Sequence, residues 1–201
     1  LLTPGPRDSV DDIAATRSGV LVASYSNVRG RALRFSFDGR QWSSMNVPLP
    51  ASGSVGVATT DAADDIAFLT YEDFIQPTTL YALDIPANKT KPIKSLPPKF
   101  DASRYVVEQL EATSRDGTRV PYFVVRAKAF EANGQAPTLL YGYGGFQVSM
   151  LPTYSATVGQ LWLDQGGVYV LANIRGGGEF GPAWHDAGLK LKGQVVYDDF
   201  I

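Results

Sequence analysis

Three short stretches of this sequence combine residue types and spacings that could do chemistry. Leu139-Leu140-Tyr141-Gly142-Tyr143-Gly144-Gly145-Phe146 sets a phenol and a phenyl ring among glycines directly after an apolar run. Residues 173–185, NIRGGGEFGPAWH, hold Gly176, Gly178 and Gly181 in G-x-G-x-x-G spacing and end on His185, the single histidine of the chain. Ser52-Gly53-Ser54-Val55-Gly56 comes close to the G-x-S-x-G of a serine nucleophile. The first could donate a hydrogen bond to a developing oxyanion, the second could cradle a phosphate, and the third could attack a carbonyl.

Two of these chemistries are disfavoured by their surroundings. A dinucleotide loop runs straight into a long helix, with its acidic residue at the end of the next strand. Here Gly181-Pro182 and Gly188 interrupt the residues after the loop, while Asp198 and Asp199 read as the first turn of a helix, where carboxylates complement the dipole. The glycines are better explained as a tight loop at the carboxyl end of a strand. Ser52–Gly56 lacks the first glycine of the elbow and sits among short alternating strands, away from any strand-to-helix turn. His185, between Trp184 and Asp186, reads as a polar residue beneath a loop rather than a general base. The sequence contains no complete catalytic triad. Tyr143 and Phe146 could either serve a reaction or simply pack their loop.

Composition removes other classes. A net charge of −2 without a basic cluster gives no footprint for nucleic acid or an anionic membrane. The absence of cysteine excludes disulfides and thiolate metal sites, and one histidine makes a zinc site a poor expectation, so no metal and no cofactor are expected. At 44% hydrophobic and 19% charged residues the chain reads as soluble and globular, with no apolar run approaching a membrane span and no leader. The compartment, cytoplasmic or periplasmic, stays open. The start at Leu1-Leu2-Thr3 and the stop at Asp199-Phe200-Ile201, where a new segment begins, suggest a piece of a longer protein.

The elements that must position these residues fall into two halves. A shift of 46 residues lays Val20 on Ile66, Tyr25 on Tyr71, Phe35 on Tyr81 and Asp38 on Asp84. Short alternating strands are expected near 20–26, 31–37 and 41–47, and again near 65–71, 78–84 and 90–95. A repeat of ~40–50 residues built of short strands suits a β-propeller blade, although an antiparallel sandwich fits the same turns. After Pro97-Pro98 the character changes. A hairpin is expected over 104–113 and 119–127, then the apolar run at 138–141, helical spacing near 154–165, and a strand over 168–174. That order predicts a parallel sheet with helices on its faces, an α/β domain entered over 98–201.

YGYGGF, followed by ANIRGGGEFGPAWH and then YDDF, resembles the prolyl oligopeptidase family of serine peptidases, and within it the prolyl endopeptidase branch. The likeness is strong in motif order over about 98–201; earlier it rests on the repeat. It implies a mixed fold: the C-terminal blades of a β-propeller over 1–97, then the first part of an α/β-hydrolase domain over 98–201. In that family the second tyrosine of the motif donates to the oxyanion and the phenylalanine lines the pocket for the substrate proline. Carried over, these are Tyr143 and Phe146. The family's serine, aspartate and histidine would fall beyond Ile201.

Two functional classes fit these features. The first is part of a serine peptidase that cleaves short peptides on the carboxyl side of proline through an acyl-enzyme, with proline-containing peptides as its partners and no obligate protein partner. The second is a non-catalytic binding module derived from a propeller. A serine elbow downstream in the reading frame separates them.

Overall fold

The computed structural model describes residues 1–201, which divide into two compact units: Leu1–Pro97 with Leu151–Tyr154, and Pro98–Met150 with Ser155–Ile201.

The first unit is two four-stranded antiparallel meanders. One runs β1 (Asp8–Thr16), β2 (Gly19–Ser26), β3 (Arg29–Phe37) and β4 (Trp42–Asn46); the other runs β5 (Ser54–Thr59), β6 (Ile66–Glu72), β7 (Thr79–Asp84) and β8 (Lys89–Ser95). In each, neighbours in sequence are neighbours in the sheet, because every link is short enough for a hairpin. Leu21, Ala32, Val55, Leu69, Tyr71 and Leu83 are buried in one cluster to which both sheets contribute, as alternating strands require when two faces stack. β4 is exposed along its whole length and β8 along most of it. Tyr25 crosses between the sheets: its hydroxyl donates to Val55 O at 3.1 Å and accepts from Val55 N at 3.3 Å. Burial pushes this phenol up to about 12. The first strand of each meander, β1 and β5, was not among the expected strands.

The second unit is built on β9 (Tyr105–Thr113), β10 (Arg119–Ala127), β11 (Thr138–Gly142) and β12 (Val168–Ala172), in the order β11-β12-β10-β9. The strands on either side of the helix pair in parallel as their order predicts, and the expected hairpin joins them in one mixed sheet. Only β11 and β12 are parallel; β10 pairs antiparallel with both β9 and β12. The tight turn after Ser114 forces β9 and β10 into a hairpin, whereas the β11–β12 crossover is long enough to hold a helix. That helix, α1 (Ala156–Leu161), starts at Ser155, whose hydroxyl accepts from Val158 N at 3.2 Å, and continues as a 3-10 turn ending at Gly166 with φ 86°. Gly159 of α1 faces the Phe100 ring, and any Cβ there would run into it. Two more short helices come after β12: α2 (Pro182–Asp186) and α3 (Gln194–Phe200). Asp198 and Asp199 thus close α3 rather than open it, the unfavourable end for a carboxylate, and a specific partner is required.

Candidate active site

The parallel pair places the site. β11 and β12 run side by side with Gly142 opposite Ala172, so their succeeding loops leave the same edge at the same level. The carboxyl end of parallel strands is where α/β sheets collect their functional loops. One loop carries Tyr143 and Phe146; the other is the glycine-rich stretch that begins at Asn173.

The second loop is the bed on which the first lies. A Cβ on Gly176 would collide with the carbonyl oxygen of Gly144, and one on Gly178 with the carbonyl oxygen of Gln147. Backbone packs on backbone here, which only glycine allows. The triple glycine therefore has a role its spacing does not show: it supports the Tyr143 loop.

Polar contacts complete the fit. Asn173 donates through Nδ2 to Met150 O at 2.6 Å, and Met150 N donates to Glu179 Oε1 at 2.9 Å, so both backbone groups at the far end of the loop are held by buried side chains. Glu179 is 1% exposed, and burial pushes its carboxyl above the usual range, partly countered by the donor at Met150. At the near end, Gln147 N lies 3.2 Å from Gly176 O and 3.1 Å from His185 Nδ1, with Nδ1 2.7 Å from the same carbonyl oxygen.

Arg175, within the second loop, is buried. Its guanidinium grips Asp199 with two nitrogens, Nε to Oδ2 at 2.9 Å and Nη2 to Oδ1 at 2.6 Å, while Arg175 N donates to Asp199 Oδ2 at 3.0 Å. Nη1 reaches Asp116 at 2.5 Å and Nη2 reaches Ser114 Oγ at 3.3 Å. One side chain thus ties the β9–β10 turn, the glycine loop and α3 together, and it is the partner that lets a carboxylate end that helix. These bonds hold the guanidinium charged and keep the Asp116 carboxyl well below its ordinary range. Val120, Ala172 and Ile174 form the apolar floor, with Trp184 and Val196 packed against it. Sequence reasoning passed over Arg175, Glu179 and Asn173; the one available signal was three polar residues inside an otherwise apolar-and-glycine stretch.

Tyr143 and Phe146 stand together at the surface, ring centroids 6.5 Å apart and planes 27° from parallel. They are 46% and 85% exposed, and the Tyr143 hydroxyl makes no hydrogen bond within the chain. Phe146 and Gln147 both have positive φ, 52° and 57°, and Val148 N donates to Gly145 O at 3.0 Å to close the turn. Side chains with a Cβ are disfavoured there by ~1–2 kcal/mol each. Ser54, by contrast, lies on β5 in the first unit. No cluster of three or more His, Asp or Glu residues suited to a metal ion occurs.

Comparison with known proteins agrees with both halves. The prolyl oligopeptidase N-terminal β-propeller domain matches residues 4–96, and the prolyl oligopeptidase family matches residues 152–201. An uncharacterized peptidase of Sinorhizobium fredii is 45% identical over 100% of this chain, and a prolyl endopeptidase of Elizabethkingia miricola is 37% identical over 77% of it. The chain covers 28% and 22% of those two proteins. The structure of a post-proline cleaving enzyme from Rickettsia typhi superposes with a TM-score of 0.88 and 38% identity, over 100% of this chain and 29% of that one. With propeller blades leading into the start of an α/β-hydrolase fold, and with both halves matched in order, the chain belongs to the prolyl oligopeptidase family of peptidases.

Proposed function

We propose that the chain is the part of a serine peptidase that binds the residue before the scissile bond and stabilises the oxyanion, with the fold changing from propeller to hydrolase near Pro97-Pro98. The observation that carries this reading is the pairing of an unengaged phenol with an exposed phenyl ring on a backbone turn that costs free energy to hold. Strain of this kind persists where surrounding structure enforces it, and it concentrates where ligands are held.

The chemistry comes from the two groups. When a serine oxygen attacks a peptide carbonyl, negative charge collects on the carbonyl oxygen, and a fixed O–H donor stabilises that charge more than it stabilises the ground state. Tyr143 is suited to be that donor. The face of Phe146 offers an apolar plane for a pyrrolidine ring, which is compact and already fixed in conformation. Short peptides cleaved after proline are therefore the substrate class; the names of the Elizabethkingia and Rickettsia proteins, a prolyl endopeptidase and a post-proline cleaving enzyme, support the choice of proline. The serine, aspartate and histidine lie outside this chain in the same reading, so the 201 residues alone have no peptidase activity. Stoichiometric labelling of the isolated chain by a fluorophosphonate would contradict that.

The test of the donor is Tyr143→Phe in the full-length protein. The ring stays and the hydroxyl goes, so kcat should fall on the order of 10²–10³-fold, the scale of single oxyanion-donor deletions, with the melting temperature unchanged. A fully active variant would remove the assignment and leave a binding scaffold as the better reading.

A further inference from the structure

We propose that His185 is a positioning residue that holds the Phe146–Gln147 turn in its left-handed form, and through it sets the preference for proline; the inference rests on the reading of Phe146 as the ring that receives the substrate proline. The turn from Gly145 to Val148 has positive φ at both central positions, a geometry that favours Asn-Gly and here holds Phe-Gln. Its own closing bond, Val148 N to Gly145 O, exists in any sequence and cannot offset the steric penalty.

Of the two central N–H groups, that of Gln147 is the one the surroundings grip. It points at two atoms, Gly176 O at 3.2 Å and His185 Nδ1 at 3.1 Å. The 2.7 Å between Nδ1 and Gly176 O calls for a proton on Nδ1, which then donates to the carbonyl. His185 therefore fixes the acceptor on which the turn hangs. The backbone that carries His185 is held by short-range contacts: Gly188 N donates to His185 O at 3.0 Å, and neighbouring Trp184 packs edge-on to Phe180 with centroids 4.8 Å apart while its Nε1 donates to Ile174 O at 3.2 Å. Because the grip falls on Gln147, the residue next to the phenyl ring, its loss acts on substrate placement before it acts on the Tyr143 donor.

The experiment uses the full-length protein and a pair of chromogenic peptides with proline or alanine before the scissile bond. His185→Leu removes the donor. The expected result is a KM for the prolyl peptide raised about five- to tenfold, the scale of one hydrogen bond, with kcat within about twofold and discrimination against alanine reduced. His185→Asn, whose side-chain NH2 can take the place of Nδ1–H, should return KM to within about twofold of the parent, while the near-isosteric acceptor in His185→Asp should not. Gln147→Gly, which removes the left-handed penalty, should recover part of the loss in the leucine background. Failure of asparagine to rescue, or a loss confined to kcat, would overturn the proposal. Should His185→Leu fail to fold, the Asn–Asp contrast decides alone. Hydrogen exchange at the 144–150 segment separates this inference from the reading beneath it: His185→Leu should speed exchange there at least about tenfold. If Phe146→Ala leaves KM unchanged while exchange responds to His185, the pocket reading falls and the positioning stands; unchanged exchange removes the positioning.

Discussion

Two turns in this chain place consecutive non-glycine residues at positive φ, and they differ in what offsets the strain. Asn27 and Val28, at 49° and 65°, join β2 to β3, where Ser26 faces Arg29. Val28 is 0% exposed, and burying a valine stabilises by about 1.5–3 kcal/mol, comparable with the ~1–2 kcal/mol each such residue costs. Phe146 and Gln147 have nearly the same φ angles but leave the phenyl ring 85% exposed. Nothing the ring touches within its unit returns the cost; the surrounding hydrogen bonds enforce the turn. The same local geometry is thus a packing device in one half of the molecule and a presented surface in the other.

The exposed turn depends on the ion pair that holds its supporting loop. Arg175→Met leaves the Asp199 carboxylate, whose side chain is 0% exposed, without its cation. Destabilisation of about 3–5 kcal/mol is expected, with the exposed turn lost along with the fold. A variant that melts like the parent would show that the turn is supported elsewhere.

Glu179 gives a graded version. Glu179→Ala leaves Met150 N–H unpaired and should cost about 1–3 kcal/mol. Glu179→Gln keeps an acceptor there and should be close to neutral at acidic pH. The pH dependence separates the two. A glutamate with a raised folded-state pKa binds more protons folded than unfolded, so its contribution is full below the ordinary glutamate value and declines as pH rises toward the raised one. Parent minus Glu179→Gln melting curves should show that decline between the two values. A flat difference would mean the carboxyl is not perturbed.

Smaller effects sharpen the contrast between the turns. Val28→Ala removes buried methyls and should cost about 1–2 kcal/mol, leaving kcat and KM of the full-length protein untouched. Gln147→Gly should raise stability by up to about 1 kcal/mol by relieving strain. If Val28→Ala altered KM, or if Gln147→Gly destabilised the protein, the division between packing and presenting would not hold.

How much of the molecule was legible in its sequence depends on the range of the interactions. Alternation revealed β2, β3, β6 and β7 because their apolar faces recur every second residue within one window. It missed β1, which is rich in aspartate and largely exposed, and β5, whose Gly56 and small residues show no alternation. The 46-residue repeat pointed to propeller blades, and Tyr143 and Phe146 stood out through their glycines and their family likeness. What lay hidden was reciprocal contact across the sequence. Gly176 and Gly178 are glycines because Gly144 and Gln147, far upstream, lie on them, and Asp199 can end α3 because Arg175 reaches it from the preceding loop. Neither partner can be inferred from the local pattern.

The most direct test of the central claim is Phe146→Ala in the full-length protein, with melting temperature and prolyl-peptide kinetics taken on the same preparation. If the strained turn exists to present the ring, KM should rise about tenfold while stability stays within about 0.5 kcal/mol of the parent, as for other exposed side chains. A lowered melting temperature with an unchanged KM would contradict it, and would make Phe146 a packing residue like Val28.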